Sequence, residues 1–311
     1  MLLGTSPPLA AATLVLGPGQ SLGDALRRAV DGDTIELAAG DYRGEVGVIT
    51  QRRLTLRGVG ARAVLHADGR HAEGKAIMVV RGGEVLIENI EFRGSRVPDG
   101  NGAGIRFERG RLTVLRCAFF DNQNGILTAN FGDSELVVQD SEFGQAPAAH
   151  RLPHLLYVGS IGRFTLSGSR FSGGAQGHLV KSRARVSELR NNRLVDGPGG
   201  QAAYELEFPN GGMVTAVGNV MGQSAASSNP VLVSYGVEGY SAGPHSLVFS
   251  DNTLINDGSR NAIFVRVRPA SPPVTLNVTG NRLLGPGDPG VATAERGNTQ
   301  QPLSALMEPR P

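Results

Sequence analysis

Residues 85–92 read Val-Leu-Ile-Glu-Asn-Ile-Glu-Phe, a β-rich run that ends on the apolar anchor Phe92. The same unit returns at residues 112–119, 136–143, 164–171, 187–194, 214–221, 247–254 and 276–283. The anchors that end these units lie 23 to 33 residues apart. A period of this length, with strands, glycine turns and no second helix, predicts a solenoid whose stacked coils share one core.

A column of equivalent positions lies two residues before each anchor. It contains Ile90, Cys117, Ser141, Ser169, Asn192, Asn219, Asn252 and Asn281. Asparagine tolerates a left-handed bend, and stacked amides can hydrogen-bond from one coil to the next. We therefore expect an asparagine ladder at a corner of the coil, with Cys117 a small buried member of the column and not a nucleophile.

A second strand lies between successive anchors, as at residues 76–80, 178–183 and 204–208. A β-sandwich, the main alternative, would show strands about every 8–12 residues and no long period. The sequence therefore predicts an all-β, single-domain parallel β-helix with in-register strands about 4.8 Å apart. Outward side chains of the second strand are the ones that would meet a ligand.

The stretch from Gly17 to Tyr42 predicts a short helix and then the first strand. Ser21 can cap the helix, and the apolar stripe of the helix begins at Leu22. The residues Gly-Asp-Thr-Ile-Glu-Leu-Ala-Ala-Gly-Asp-Tyr at 32–42 resemble the N-terminal entry of right-handed parallel β-helix proteins of the pectate-lyase type. In those proteins an amphipathic helix covers the open end of the coil. The resemblance implies a right-handed β-helix with a short N-terminal capping helix.

The domain boundaries follow from where the repeats begin and end. Residues 1–16 are apolar and rich in alanine, and we expect a leader stub or a disordered start there. The β-helix domain is expected over residues 17–285. Residues 286–311 are rich in proline, glycine and threonine, so we expect a poorly ordered tail or a loose cap.

Composition argues against several classes of protein. The 311-residue chain carries a net charge of +2, too near balance to indicate a nucleic-acid partner. It has no run of the ~20 apolar residues that would span a membrane, and its single cysteine excludes an intramolecular disulfide framework.

Lys75 and Lys181 are the only lysines among 30 cationic residues. Because surroundings can lower the pKa of a lysine, each is a candidate base. We expect a monomer.

Charged and aromatic side chains concentrate between residues 150 and 240. A basic row, Lys181, Arg183 and Arg185, alternates along one strand, and Glu205 and Glu207 alternate along the strand one repeat later. The apolar residues between them need the interior, so both charged rows are expected to point outward. The plain interpretation of such a face is a solvated ladder of ion pairs.

The functional interpretation is a site for an acidic polysaccharide. Cations neutralise a uronate carboxylate, a base removes the proton α to it, and the departing glycosidic oxygen takes a proton from a Tyr, His or Lys. Besides Lys181 and Arg183, the candidates for this chemistry are His178, His154, Tyr157 and Tyr204. The candidates for binding the substrate are Arg185, Arg151, Asn210, Tyr235 and Glu238.

A β-helix with Lys and Arg on one outward strand and acids on the next resembles the β-helix polysaccharide lyases of the alginate-lyase and chondroitinase B group. The resemblance implies that Lys181 is the base and that Arg183 acts at the carboxylate or the leaving group. It also implies a calcium ion held by Glu205 and Glu207, with Asn210 a further candidate ligand. In that group the Lys and Arg come from different coils, whereas here they lie two residues apart.

Three other functions stay open. A β-helix epimerase that acts on mannuronate would use His154 or His178 as its base. A glycoside hydrolase would need two carboxyls on opposite sides of a bond, whereas Glu205 and Glu207 lie about 7 Å apart along one strand. The third alternative is a protein that binds an acidic polymer without cleaving it. An acidic polysaccharide partner implies a periplasmic or secreted location.

Overall fold

The fold is that of a parallel β-helix, seen in a computed structural model that describes residues 11–148, 152–227, 229–258 and 262–306. The chain winds through about nine coils, which confirms the predicted all-β, right-handed solenoid. All pairings between named strands are parallel, and they form one sheet of 20 strands and one of 10 strands. Within the described part of the chain, no helix is both long and apolar enough to cross a membrane.

The 20-stranded sheet carries the ladder column, and we call it the ladder sheet. Its strands are Thr13–Leu16, Thr34–Arg43, Arg53–His66, Glu84–Glu88, Ile90–Arg93, Arg111–Leu115, Ala118–Phe120, Glu135–Gln139, Glu142–Gly144, Arg163–Ser167, Arg170–Ser172, Val186–Arg190, Arg193–Val195, Met213–Val217, Val220–Gln223, Ser246–Ser250, Thr253–Asn256, Thr275–Thr279, Arg282–Leu284 and Thr299–Gln301.

The 10-stranded sheet contains the second strand of each repeat, and we call it the site sheet. Its strands are Gly47–Ile49, Ala76–Val80, Ala103–Phe107, Asn124–Thr128, His154–Val158, His178–Ser182, Tyr204–Phe208, Val231–Tyr235, Ala262–Val267 and Gly287–Gly290.

The α-helix Leu22–Arg28 covers the N-terminal end of the coil, as predicted. The side chain of Ser21 caps it by accepting a hydrogen bond from the backbone N–H of Asp24 at 3.2 Å. Its buried face, Leu22, Ala25 and Leu26, joins the main hydrophobic core.

Both ends of the β-helix extend beyond residues 17–285, the range expected from the sequence. Thr13–Leu16 pairs with Thr34–Arg43, so this part of the expected leader is a strand of the first coil, while residues 1–10 lie outside the described residues. Gly287–Gly290 and Thr299–Gln301 add a strand to each sheet. Two 3-10 helices, Ala294–Arg296 and Leu303–Leu306, complete this end, and residues 307–311 lie outside the described residues.

The predicted ladder and anchor columns stack through the core. Each ladder asparagine from Asn192 to Asn252 donates its backbone N–H and its amide to the Oδ1 of the asparagine in the next coil, at 2.9–3.0 Å. Asn298 extends the ladder beyond Asn281. The anchor rings from Phe92 to Phe171 stack with centroids 4.5–5.2 Å apart. These columns fix the register between coils.

The left-handed bend lies one residue earlier than expected. Positive φ angles of 49–56° occur at Arg116, Asp140, Asn191 and Asp251, each immediately before a ladder residue. No described ladder residue has a positive φ, and the backbone N–H groups of Asn192, Asn219 and Asn252 donate to the side chain of the next coil. Cys117 is fully buried, as predicted, and burial raises the pKa of its thiol to about 12.

Candidate functional site

Outward side chains of the site sheet form columns because its strands pair in register. Tyr157, Lys181 and Glu207 are direct neighbours in one column. His154 and His178 lie at the starts of their strands, with ring centroids 4.7 Å apart. The ring of Tyr204 follows 4.9 Å from that of His178. Strand spacing thus brings together candidates that lie 50 residues apart in the chain.

Four charged side chains form what we call the ion-pair centre: Lys181, Arg183, Glu207 and Glu238. Lys181 Nζ lies 2.9 Å from Glu207 Oε2 and 3.0 Å from Glu238 Oε1. Arg183 Nη1 lies 2.7 Å from the other carboxylate oxygen of Glu238. Lys181 and Glu207 are buried, whereas the Glu238 side chain remains 43% exposed. Two cations therefore share one solvent-facing carboxylate.

Arg183 also donates hydrogen bonds to two neutral polar groups. Its Nε donates a hydrogen bond to Tyr157 Oη at 2.8 Å, and its Nη1 donates to Asn210 Oδ1. The guanidinium carbon lies 5.9 Å from the centroid of the Tyr157 ring, and Lys181 Nζ lies 6.0 Å from it. The phenol is therefore fixed beside both cations.

The two histidines are neutral at neutral pH. Burial lowers the pKa of His178, although contact with Glu207 acts in the opposite direction. Burial also holds the pKa of His154 well below its ordinary value, and the nearby His178 and Lys181 add to this effect. His154 Nδ1 accepts a hydrogen bond from the His178 backbone N–H at 3.0 Å, which places the proton of that ring on Nε2.

Glu207 acts as the anionic partner of His178. His178 Nδ1 lies 3.1 Å from Glu207 Oε2, an electrostatic contact without the alignment of a hydrogen bond. Burial acts to raise the pKa of Glu207, but contacts with His178 and Lys181 outweigh it and keep that pKa below its ordinary value. The carboxylate is therefore ionised and favours a proton on His178 Nδ1.

Glu205 does not share this surface, and the predicted outward pair of glutamates is wrong. Glu205 is fully buried, and neither of its carboxyl oxygens has a hydrogen-bond partner in the described ranges. The equivalent residues of the adjacent coils, Leu179 and Leu232, belong to the core. Alternation fails because the second and third residues of each of these strands are both buried, here Glu205 and Leu206. Burial raises the pKa of Glu205 well above its ordinary value, and Asp196 adds to the shift.

Tyr235 is also misplaced by the sequence prediction. It is fully buried, and its hydroxyl donates to the Gly212 carbonyl at 2.5 Å, so it is not available to a substrate. Burial raises the pKa of its hydroxyl. Arg185 is exposed, and no residue in the described ranges forms an ion pair with it. Arg151 lies outside the described residues.

The proposed calcium ligands do not come together. Glu205 faces the interior, Glu207 Oε2 contacts Lys181 and His178, and Asn210 Oδ1 accepts from Arg183. Among the described residues, no group of three or more His, Cys, Asp or Glu side chains could hold a metal ion. Residues 205, 207 and 210 therefore do not fit the calcium site that the resemblance implied.

Sequence reasoning passed over two neighbours of this site. Ser234 pairs with Glu207, and Arg266 pairs with Ser234, so both continue the column of Lys181. Neither residue belongs to a charged run, which is why the composition of single strands did not reveal them. Aligning the second strands of successive repeats on the ladder positions would have placed both in this column.

The sequence matches no family model and no curated protein. Among solved structures, it is similar to a PL6 family alginate lyase, AlyGC, with a TM-score of 0.59 and 19% identity over 90% of this chain and 41% of that chain. A point mutant of that enzyme has a TM-score of 0.57 and 18% identity, over 88% of this chain and 41% of that chain. The pectate lyase Pel9A has a TM-score of 0.46 and 12% identity, over 93% of this chain and 77% of that chain.

At these identities the comparisons establish the fold, a pectate-lyase-like parallel β-helix. The structural neighbours named above are polysaccharide lyases. The chain spans 41% of the length of the alginate lyase structures that it matches.

Proposed function

We propose that this protein is a polysaccharide lyase that cleaves a uronic-acid-containing polysaccharide by β-elimination. The observation that carries the proposal is the convergence of two cations, a neutral histidine with a carboxylate partner and a phenol on one outward face. Binding of an acid, removal of its α-proton and protonation of a leaving oxygen need these groups. The lyase fold of the alginate lyase structures supports the reaction class.

Lys181 and Arg183 bind the uronate carboxylate in this proposal. Glu238 now places one carboxylate oxygen on each cation, at 3.0 and 2.7 Å, in the arrangement that a substrate carboxylate would adopt. The Lys181 amine already contacts the carboxylates of Glu207 and Glu238, at 2.9 and 3.0 Å, as an anion-binding group does. Lys181 is therefore better suited to bind the anion than to serve as the base that the resemblance implied.

His178 is the base in this proposal. Its imidazole is neutral, Glu207 faces Nδ1, and Nε2 has no hydrogen-bond partner among the described residues. Nε2 takes the proton from the carbon that bears the carboxylate, and Glu207 stabilises the imidazolium that forms. The electron pair of that C–H bond becomes the new carbon–carbon double bond, and the bond from the next carbon to the glycosidic oxygen breaks.

Tyr157 protonates the leaving oxygen. Its hydroxyl oxygen accepts a hydrogen bond from Arg183 Nε, so its own proton is free to be donated. The guanidinium stabilises the phenolate that results, because the charge develops 2.8 Å from Nε.

Incubation with a panel of polyuronates tests the reaction class. We expect at least one polymer to give unsaturated, ultraviolet-absorbing ends in step with chain scission. New reducing ends without that absorbance would indicate a hydrolase, and a change of sugar composition without scission would indicate an epimerase. Binding without any reaction would leave a recognition protein, and each of these three results would contradict the lyase proposal.

Glu238→Gln is expected to tighten binding of the reactive polyuronate about tenfold, or ~1.4 kcal/mol. The variant removes the carboxylate that competes for Lys181 and Arg183 and leaves both cations in place. The measurement is the KM in the elimination assay. Glu188→Gln is the matched control, because Glu188 pairs with Arg163 on the ladder sheet. A higher KM in Glu238→Gln would mean that Glu238 contacts the sugar directly.

A further inference from the structure

The column that carries Lys181 and Glu207 continues over two more coils. Glu207 lies in register with Ser234, and Ser234 lies in register with Arg266. At about 4.8 Å for each coil, Arg266 lies roughly 14 Å from Lys181 along the axis. A ligand that contacts both strands must therefore extend along the β-helix, as a polymer does.

A cavity of about 300 Å³ opens beside the last two members of this column. Its lining consists of Ser234, Tyr235, Val237, Arg266, Val267, Arg268 and Pro269. The valines and the proline provide an apolar wall, and the two arginines provide positive charge. An apolar wall with few polar groups is typical of a small-ligand site, and the volume lies at the small end of the usual range.

Within the described part of the chain, two side chains of this cavity lack polar partners. Ser234 is fully buried, and its Oγ has no hydrogen-bond partner among the described residues. A buried hydroxyl without a partner is uncommon in proteins, and a ligand hydroxyl would satisfy it. Arg266 is exposed, and no residue in the described part of the chain forms an ion pair with it. By contrast, Arg106, three coils before Lys181 in the same column, pairs with Glu108 at 3.3 Å.

We propose that this cavity is a second uronate subsite, which rests on the proposed function. Arg266 binds the carboxylate of a sugar further along the polymer, since a guanidinium matches a carboxylate in geometry and charge. Ser234 hydrogen-bonds a hydroxyl of that sugar, and Val237 and Val267 pack against its C–H face. The cavity therefore makes the protein select chains over short fragments.

The test compares a disaccharide with a hexasaccharide of the polymer that the panel identifies, or of alginate if it identifies none. Affinities are measured by calorimetry on the His178→Gln background, which prevents turnover. Arg266→Ala is expected to weaken hexasaccharide binding about tenfold and to leave disaccharide binding unchanged. Ser234→Ala is expected to weaken the hexasaccharide several-fold. Arg190→Ala, which removes an exposed arginine from the ladder sheet, should change neither affinity.

The possible outcomes distinguish failure of the subsite proposal from failure of the lyase proposal. If the wild-type protein eliminates the polymer but Arg266→Ala keeps full hexasaccharide affinity, the subsite is overturned and the lyase stands. Equal weakening of both oligosaccharides would also overturn it, because Arg266 would then act at the ion-pair centre. If the protein binds the hexasaccharide without eliminating it, the lyase proposal fails and the same comparison still decides the subsite. Absence of binding to either oligosaccharide would overturn both.

Discussion

Replacing His178 by Gln is expected to lower kcat for elimination by about 10²- to 10⁴-fold, the usual contribution of a general base. Glutamine keeps an amide near Glu207 but cannot take up a proton. Lys181→Arg retains a cation between Glu207 and Glu238, so it is expected to raise KM more than it lowers kcat. The measurement is the initial rate of formation of the unsaturated product, with folding checked by circular dichroism.

The control for this prediction is His66→Gln, because His66 pairs with Asp41 on the ladder sheet. It should keep wild-type kinetics. The reverse pattern, with His178→Gln active and Lys181→Arg inactive, would show that Lys181 is the base and His178 only a neighbour.

The pH profile gives an independent check of the same assignment. A base must be neutral, so kcat/KM should fall as the pH drops through the pKa of His178. Because burial lowers that pKa, the midpoint of the acid limb should lie below the ordinary histidine value of 6.5. A midpoint above 6.5 would contradict a base in this buried setting.

Replacing Glu205 by Leu is expected to stabilise the fold by about 1–4 kcal/mol at neutral pH, the range seen when buried charged groups give way to apolar ones. Both neighbours in its column, Leu179 and Leu232, are leucines, so the core already accepts that shape. The wild-type carboxyl is fully buried, has no hydrogen-bond partner among the residues that the structure describes, and lies near Asp196. The measurement is the free energy of unfolding from denaturant titration.

The stabilisation that Glu205→Leu provides should increase as the pH rises. The pKa of Glu205 is raised in the folded state, so the folded protein binds a proton that the unfolded chain has lost above about pH 4.5. Wild-type stability therefore falls as the pH rises from 4.5 through the raised pKa, and the Leu variant lacks this fall. Its advantage should be smallest in acid and largest above the raised pKa.

Glu205→Gln serves as the matched polar control. It removes the charge but keeps a buried polar group, so it should gain less than Glu205→Leu and also lose the pH dependence. A loss of stability in Glu205→Leu at neutral pH would show that the carboxyl has a stabilising partner. Neither variant should alter KM strongly, because Glu205 is fully buried and, among the described residues, forms no ion pair with Lys181 or Arg183.

The repeat in the sequence is enough to predict the β-helix, the alignment of its anchor and ladder columns, and the strands of the site sheet. Anchor residues such as Phe119 and ladder residues such as Asn219 and Asn252 occupy the same positions in successive repeats. Only stacking of the coils in register lets the rings pack on one another and the amides hydrogen-bond. The same period placed the basic row and the acidic row on neighbouring strands, and the structure supplied the register in which Lys181 pairs with Glu207. A repeat makes such predictions possible because each coil has the same surroundings as the next.

Which members of the charged rows meet depends on the packing of one coil on the next and could not be predicted from the sequence. Two consecutive residues are buried near the start of the strand Tyr204–Phe208, which separates Glu205 from Glu207 in spite of their spacing. Glu238 reaches Lys181 from a loop two coils further on, a contact that no local pattern encodes. Side-chain direction at a corner and loop closure over a sheet depend on packing between coils, and that packing is absent from the sequence of any one strand.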